Sequence, residues 1–344
     1  MASVRASTEQ RFEIIVVDDG SDIPDWQAAL ALADANTHIL QRCNGLKGPS
    51  RCRNLGVARA QGDYILFLDS DDLLAPWCLE QRLKQAIQTP EADFWVFPVL
   101  LFKEYPGDCD LLWNAMGDLA EAADRFARSD PPWHTSSPLW KREALLRLCG
   151  FNEAVFYGDD SDLHLRALVT GLRIELHPDA LPDCFIRRSD TPRITNSITP
   201  ALIESRRLRL REGSRFLRGH PEAWHLWAAW DGQYFVEAEF LLFNHRPSKA
   251  AIQHVLSDWI IDCSPPAGRR WIVTSYLRIA RLSRDRAYLI LRLARRLAMN
   301  FLPESNFPRG GEFHAAKAGS DVMARLHALG WSKGEIASEM KFPA

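Results

Sequence analysis

Four short apolar runs, each closed by polar or turn residues, mark the first hundred positions: Glu13–Val17, His38–Gln41, Tyr64–Leu68 and Phe94–Val99. Their length and their β-branched and aromatic content predict buried strands. Between them the spacing of apolar positions predicts helices over Asp25–Ala35, Ser50–Ala60 and Pro76–Gln88. Pro76 stands near a helix start, where its missing N–H costs least. Strand and helix in alternation predict an α/β domain, a mostly parallel sheet with helices on its faces. Residues 107–118 read as irregular, and Asp130-Pro131-Pro132-Trp133 as a loop by its turn residues. After Arg193 the pattern changes. From about Thr199 to Pro303 apolar residues recur at helical spacing and no strand is predicted. This divides the chain into an α/β domain over 1–198, a helical region over 199–302, and a tail over 303–344 made of a loop and two short helices.

Composition sharpens this only in part. The chain has 344 residues, 47% apolar and 25% charged, with a net charge of −2. That balance excludes a global polyelectrolyte role such as histone-like nucleic-acid binding. Seven cysteines, at 43, 52, 78, 109, 149, 184 and 263, show no CxxC and no metal-ligand spacing. An odd, scattered set suits reduced thiols and a cytoplasmic protein. Cys52, Cys78 and Cys149 fall in helical patterns and read as packing residues. The polar start, Met1 to Arg11, has no apolar segment of signal-peptide type. No run reaches the roughly 18 apolar residues of a membrane span.

The candidate chemistry lies at strand ends. The first run ends in Asp18-Asp19-Gly20-Ser21 and the third in Asp69-Ser70-Asp71-Asp72. In an open α/β sheet the carboxyl ends of strands are where ligands bind. Several like charges together are costly unless neutralised. A divalent cation with a phosphate-bearing substrate does this, since hard cations take carboxylate oxygens and bridge to phosphates. The pattern thus predicts an enzyme that handles a nucleotide-linked donor. Asp18 and Asp19 could accept hydrogen bonds from a base or ribose, or could cap their own Gly-Ser turn. Asp69 and Asp71 are the metal-ligand candidates, for Mg²⁺ or Mn²⁺, and Asp72 reads as a cap. Asp160 is the candidate general base with Asp159 its neighbour, because clustered carboxylates raise one another's pKa. The same acids would also suit a helix N-terminus, where the macrodipole favours them.

These motifs together resemble family-2 glycosyltransferases of the GT-A fold. The resemblance runs from Phe12–Ser21 through Asn44 and Gly48–Gly56, then Ala60–Tyr64, then Asp69-Ser70-Asp71. It ends at Gly150–Glu153 and Gly158–Arg166, where the family's usual Glu-Asp is Asp159-Asp160 here. It covers about residues 3–198. It implies a nucleotide-sugar donor, a glycan or lipid-linked acceptor, a divalent cation, and an inverting transfer in cell-surface polysaccharide biosynthesis. It also implies that Arg53 faces the nucleotide, while Asn54 and Gly56 shape packing. Family members open with a further strand and a full helix, and residues 2–10 resemble only the end of that helix. The expectation is therefore a start upstream of Met1, or a shortened member that is a catalytically inactive, nucleotide-binding scaffold. Cation-dependent nucleotidyl transfer is a third reading, without support from Asp159-Asp160.

Two further segments carry charge. Arg187, Arg188 and Arg193 flank Ser189-Asp190-Thr191-Pro192, a loop suited to cover the diphosphate, with Arg188 and Arg193 as donor-binding candidates. An ordinary charged surface loop reads equally well. Between Arg269 and Met299 stand nine arginines against the single acid Asp285, interleaved with Trp271, Ile272, Tyr276, Leu277 and further leucines. This segment could lie on anionic lipid at the inner face of a membrane, or pack on the catalytic domain with a solvated basic face. Trp133-His134 could line the acceptor side or be structural. Leu329–Ala337 faintly resembles a helix-turn-helix but is too short to carry a nucleic-acid role.

Overall fold

In the computed structural model, which describes residues 1–42, 47–188, 199–244, 249–283, 293–298 and 315–329, helix α1 (Ala2–Arg5) precedes a parallel pair. That pair sets β1 (Ile14–Asp18) beside β2 (Thr37–Gln41), with Ile14 opposite Thr37. Helix α2 (Ile23–Ala31) joins the two strands, and Asp22 caps it by accepting from Asp25 N–H at 3.1 Å. The helix stops short of the expected Ala35. Asp34 takes the Asn36 N–H and the Thr37 hydroxyl, and this local turn competes with another helical turn.

Helix α3 (Pro49–Arg59) and helix α4 (Cys78–Gln88) lie close to their predicted spans; strands β3 (Tyr64–Ile65) and β4 (Leu73–Leu74) fall between them. β3 is shorter than the apolar run that contains it. Extending its register with β8 (Pro138–Lys141) would set Phe67 opposite Pro138, which has no N–H to donate. The expected strand Phe94–Val99 is two strands, β5 (Phe94–Val96) and β6 (Val99–Phe102), in different sheets. Pro98 lies between them and breaks the ladder.

The remaining elements of this half are β7 (Leu111–Leu112), α5 (Leu119–Ala127), α6 (Arg142–Arg147), α7 (Asp159–Val169), β9 (Ile174–Leu176) and β10 (Cys184–Arg187). One sheet has the order β3-β8-β5-β9, with β5 parallel to β9 and β8 antiparallel to its neighbours. The other runs β11-β7-β6-β10-β4, with β6 parallel to β10. Among the described residues three strand pairings are parallel (β1–β2, β5–β9 and β6–β10) and five are antiparallel, so the sheets are mixed where a mostly parallel one was expected. β11 (Ala316–Lys317) comes from the tail and pairs with β7, where a loop was expected. Two residues carry no periodicity by which to announce a strand.

The helical region holds α8 (Pro200–Arg218), α9 (Trp227–Asn244), α10 (Lys249–Cys263), α11 (Ala267–Ser283) and α12 (residues 293–298), and the tail adds α13 (Ser320–Ala328). Thr199 caps α8, accepting from Leu202 N–H, with Pro200 in the first turn. The hydrophobic core continues across residue 198. Phe94 stacks on Trp140 at 3.9 Å, and the same buried cluster includes Leu210, Trp230, Tyr234 and Tyr276. Gly213 is required at the α8–α9 crossing, since a Cβ there would lie 2.0 Å from the Trp230 ring. Gly213→Ala should therefore destabilise the fold by about 1–3 kcal/mol through overpacking. An unchanged melting temperature would remove Trp230 from this contact.

A fully buried ion pair ties α4 to the start of β10. Arg82 meets Asp183 at 2.5 Å and donates to Ser136 O at 2.9 Å, which fixes the 134–137 turn. Cys78 is fully buried and Cys52 half-buried, as expected of packing residues, but Cys149 is exposed, at φ 59° in the turn after α6. The six cysteines among the described residues are free thiols. No helix among the described residues is long and apolar enough to cross a membrane.

Candidate active site

β1 ends in Asp18-Asp19, and both carboxylates are engaged in shaping turns. Asp18 accepts from Gly20 N and Ser21 N, each at 3.0 Å, and the Ser21 hydrogen bonds hold its carboxyl below the usual range. Asp19 reaches across to Arg42 at 2.6 Å and to Gly48 N at 2.6 Å. It thereby sets the residue that precedes α3.

Helix α3 then presents Arg53 to two acidic motifs far apart in sequence. Its guanidinium donates to Asp69 at 2.8 Å and to Asp159 at 2.7 Å, and lies 5.3 Å from the Phe151 ring centre. Those partners raise the Arg53 pKa against the opposing effect of burial, so the side chain stays charged. Asp159 is buried at the start of α7, with Ser50 Oγ 3.0 Å away. Burial pushes its carboxyl up to about 6, although Arg53 pulls the other way. Asn54, one residue on, clasps the 150–153 turn. Its amide donates to Phe151 O at 2.9 Å and accepts from Phe151 N at 2.8 Å. The Gly56 backbone leaves ordinary contact room for Val17.

Asp160 lies beside Asp159 in the first turn of α7, half-buried, accepting from Ser161 N at 2.7 Å. Asp162, two residues on in the same turn, pairs with Arg166 at 2.9 Å. Arg166 also holds Leu148 O and Gly150 O, so this pair braces the Gly150 turn. The helical region supports α7 from behind. Ser205 Oγ accepts from Phe156 N and Tyr157 N, and Arg206 lies 4.1 Å from the Tyr157 ring. Gly158 caps α7 at φ 67°, with Arg209 packed where a Cβ would point.

The acidic turn after β3 is arranged differently from its spacing. Asp69 comes together with Asp72 and His134, their ligand atoms all within 4.8 Å of one another. Asp71, the expected partner, has its side chain on the exposed side, while its backbone O accepts from Arg187 Nε at 3.2 Å. Asp72 is buried and accepts from Arg187 N at 2.9 Å, so it secures β10 rather than a helix. His134 is buried beside Trp113, and Ser136 N donates to its Nδ1 at 3.2 Å, which fixes the ring. Burial lowers its pKa, so the imidazole is neutral near pH 7. Trp133 is a core residue. The two hard carboxylates fit a Mn²⁺- or Mg²⁺-type ion, while His134, with Nδ1 accepting from Ser136 N and its neutral-form proton therefore on Nε2, offers that ion no lone pair and stands beside it as a donor. Sequence spacing missed His134 because 62 residues separate it from Asp72; the Arg82–Ser136 contact places it there.

Arg188 is exposed and its N–H donates to Phe102 O, with its charge near Cys109. It is Arg187 that borders the acidic turn. Arg193 lies outside the described residues.

Arg53 has an energetic role that mutation can read. It is 14% exposed and Asp159 is 8% exposed. Arg53→Met would leave a buried carboxylate uncompensated, which typically costs about 3–5 kcal/mol. The Asp69 arm is more exposed and adds little to that. Thermal melting of Arg53→Met against the Arg53→Met/Asp159→Leu double variant should show partial recovery in the double. No recovery would deny the coupling.

The family model described as Glycosyl transferase family 2 matches residues 1–109. An uncharacterised glycosyltransferase of Rickettsia conorii is 42% identical over 84 residues, 24% of this chain and 13% of that protein. One of Haemophilus influenzae is 39% identical over 80 residues, 23% of this chain and 32% of that protein. The pre-mycofactocin glycosyltransferase of Mycobacterium tuberculosis is 28% identical over 177 residues, 49% of this chain and 36% of its own length. The chain thus spans about a third or less of the two uncharacterised relatives. Among solved structures, residues 1–349 of S. aureus TarS in complex with UDP-GlcNAc align with a TM-score of 0.61. The identity is 16%, and 86% of each chain is covered. The fold is that of GT-A glycosyltransferases.

Proposed function

We infer that this chain, a member of glycosyltransferase family 2, transfers a sugar from a nucleotide-diphosphate sugar to an acceptor hydroxyl. The observation that carries this reading is the Arg53 bridge between Asp69 and Asp159. It joins the acidic turn after β3 to the acidic start of α7, which supports reading the two as one site.

In this reading the turns held by Asp18 and Asp19 bound the donor side. Asp69 and Asp72 would hold a divalent cation beside His134, and the cation would neutralise charge on the diphosphate. Asp159 keeps Arg53 oriented. Asp160 takes the proton from the acceptor hydroxyl as its oxygen bonds to the anomeric carbon. The anomeric bond to the diphosphate breaks, and its electron pair leaves with the nucleoside diphosphate. One base and no protein nucleophile give a single displacement, and hence inversion at that carbon.

The test is incubation with a panel of uridine, guanosine, thymidine and cytidine diphosphate sugars, with Mn²⁺ or Mg²⁺, following release of nucleoside diphosphate. Release from one donor class, stimulated by a defined acceptor glycan, is expected. Tight nucleotide binding with no release under any condition would favour the inactive scaffold instead.

A further inference from the structure

Helix α11 carries four arginines and no acid in its 17 residues. Its inner face is anchored: Val273, Tyr276, Leu277 and Ala280 are buried against the helical core. Arg269 is held by Asp231. The opposite face is exposed and carries Arg270, Arg278 and Arg281 around Trp271, which is 71% exposed, and Ile279. Trp271 and Arg278 are seven residues apart and so lie on the same side of the helix.

Helix α12 emerges beside α11. Glu239 of α9 accepts from Tyr276 of α11 at 2.5 Å and from Arg295 of α12 at 3.0 Å. α12 adds exposed Leu293, Arg296 and Leu297. The two helices therefore present a preformed surface where indole and aliphatic side chains alternate with guanidiniums, in a chain whose net charge is −2.

We propose that this face docks on an anionic lipid surface. Guanidiniums complement lipid phosphates, Trp271 suits the headgroup boundary, and the leucines and isoleucine gain by entering the acyl region. A nucleic acid would reward the arginines and stack on the indole, but gives exposed leucines nothing to enter. A second copy meeting this face with its own would set arginine against arginine. The proposal stands apart from the glycosyl-transfer reading, because no group of the candidate active site takes part.

Co-sedimentation with sucrose-loaded vesicles tests it. The chain should pellet with vesicles of about one-third phosphatidylglycerol in phosphatidylcholine, and little with pure phosphatidylcholine. Salt at several times physiological strength should release it. The Arg270→Gln/Arg278→Gln/Arg281→Gln variant should lose roughly 10²-fold in partition, at about tenfold or less per basic residue. Trp271→Ala should weaken binding while keeping its salt dependence. All these side chains are exposed, so melting temperatures should not move. Equal binding to neutral vesicles, or an unchanged triple variant, overturns the proposal. So does concentration-dependent self-association in lipid-free buffer that Trp271→Ala abolishes.

Discussion

The Asp160→Asn protein should bind donor nucleotide as the parent does and turn over about 10²–10⁴-fold more slowly, the usual contribution of a general base. The two acids at the start of α7 have different work. Asp159 is buried and bound to Arg53, with Ser50 beside it. Asp160 lies half-buried beside it, near enough for its charge to influence both Arg53 and His134. Asn at 160 keeps the acceptor for Ser161 N and the shape of the turn, and removes only the basicity. Asp159→Asn should behave otherwise, weakening the Arg53 contact and lowering stability and donor affinity together. Nucleoside diphosphate titration, single-turnover transfer and thermal melting separate the cases. Equal losses of affinity and rate in Asp160→Asn would make it a donor-binding residue and leave the base unassigned.

The sequence carried the fold to the extent that local pattern decides it. β1, β2, α3 and α4 stand within two residues of their predicted ends. The failures have long-range causes. Pro98 divides one apolar run between two sheets, which only the placement of β9 and β10 reveals. Strands of two residues, such as β4, β7 and β11, have no period of their own and exist through their partners. Cys149 looked helical because it follows α6 without a break in composition, yet the Cys149-Gly150 turn carries positive φ at both residues. The core that crosses residue 198 was likewise invisible, since amphipathic helices declare an apolar face without declaring what covers it.

The site was legible as motifs and not as geometry. Asp69, Asp159, Asp160 and Arg53 were singled out by their neighbours in sequence, and the structure brings them together. What joins them is a guanidinium on α3 that reaches one acid 16 residues further along the chain and another 106 residues further. The choice among Asp71, Asp72 and His134 depends on a turn and on a histidine from another segment, which spacing cannot rank.

That choice yields the second large effect. Mn²⁺ should tighten nucleoside diphosphate binding to the parent chain, and Asp69→Asn and Asp72→Asn should each lose that gain. The loss should be at least the 10–100-fold typical of disturbing a metal site. Asp71→Asn should keep most of it, because Asp71 is exposed and is not one of the gathered groups. Asn at 72 still offers an oxygen to Arg187 N–H, the contact that holds β10, so the fold should persist. His134→Gln should lose less than either carboxylate variant, since His134 stands beside the carboxylates and gives the ion no lone pair. Isothermal titration with and without Mn²⁺, with melting curves for each protein, gives the ranking. If Asp71→Asn abolishes the metal response while Asp72→Asn retains it, the ligands are the pair that alternate spacing indicated. The gathering of Asp72 with His134 would then serve only to fix β10 against the turn.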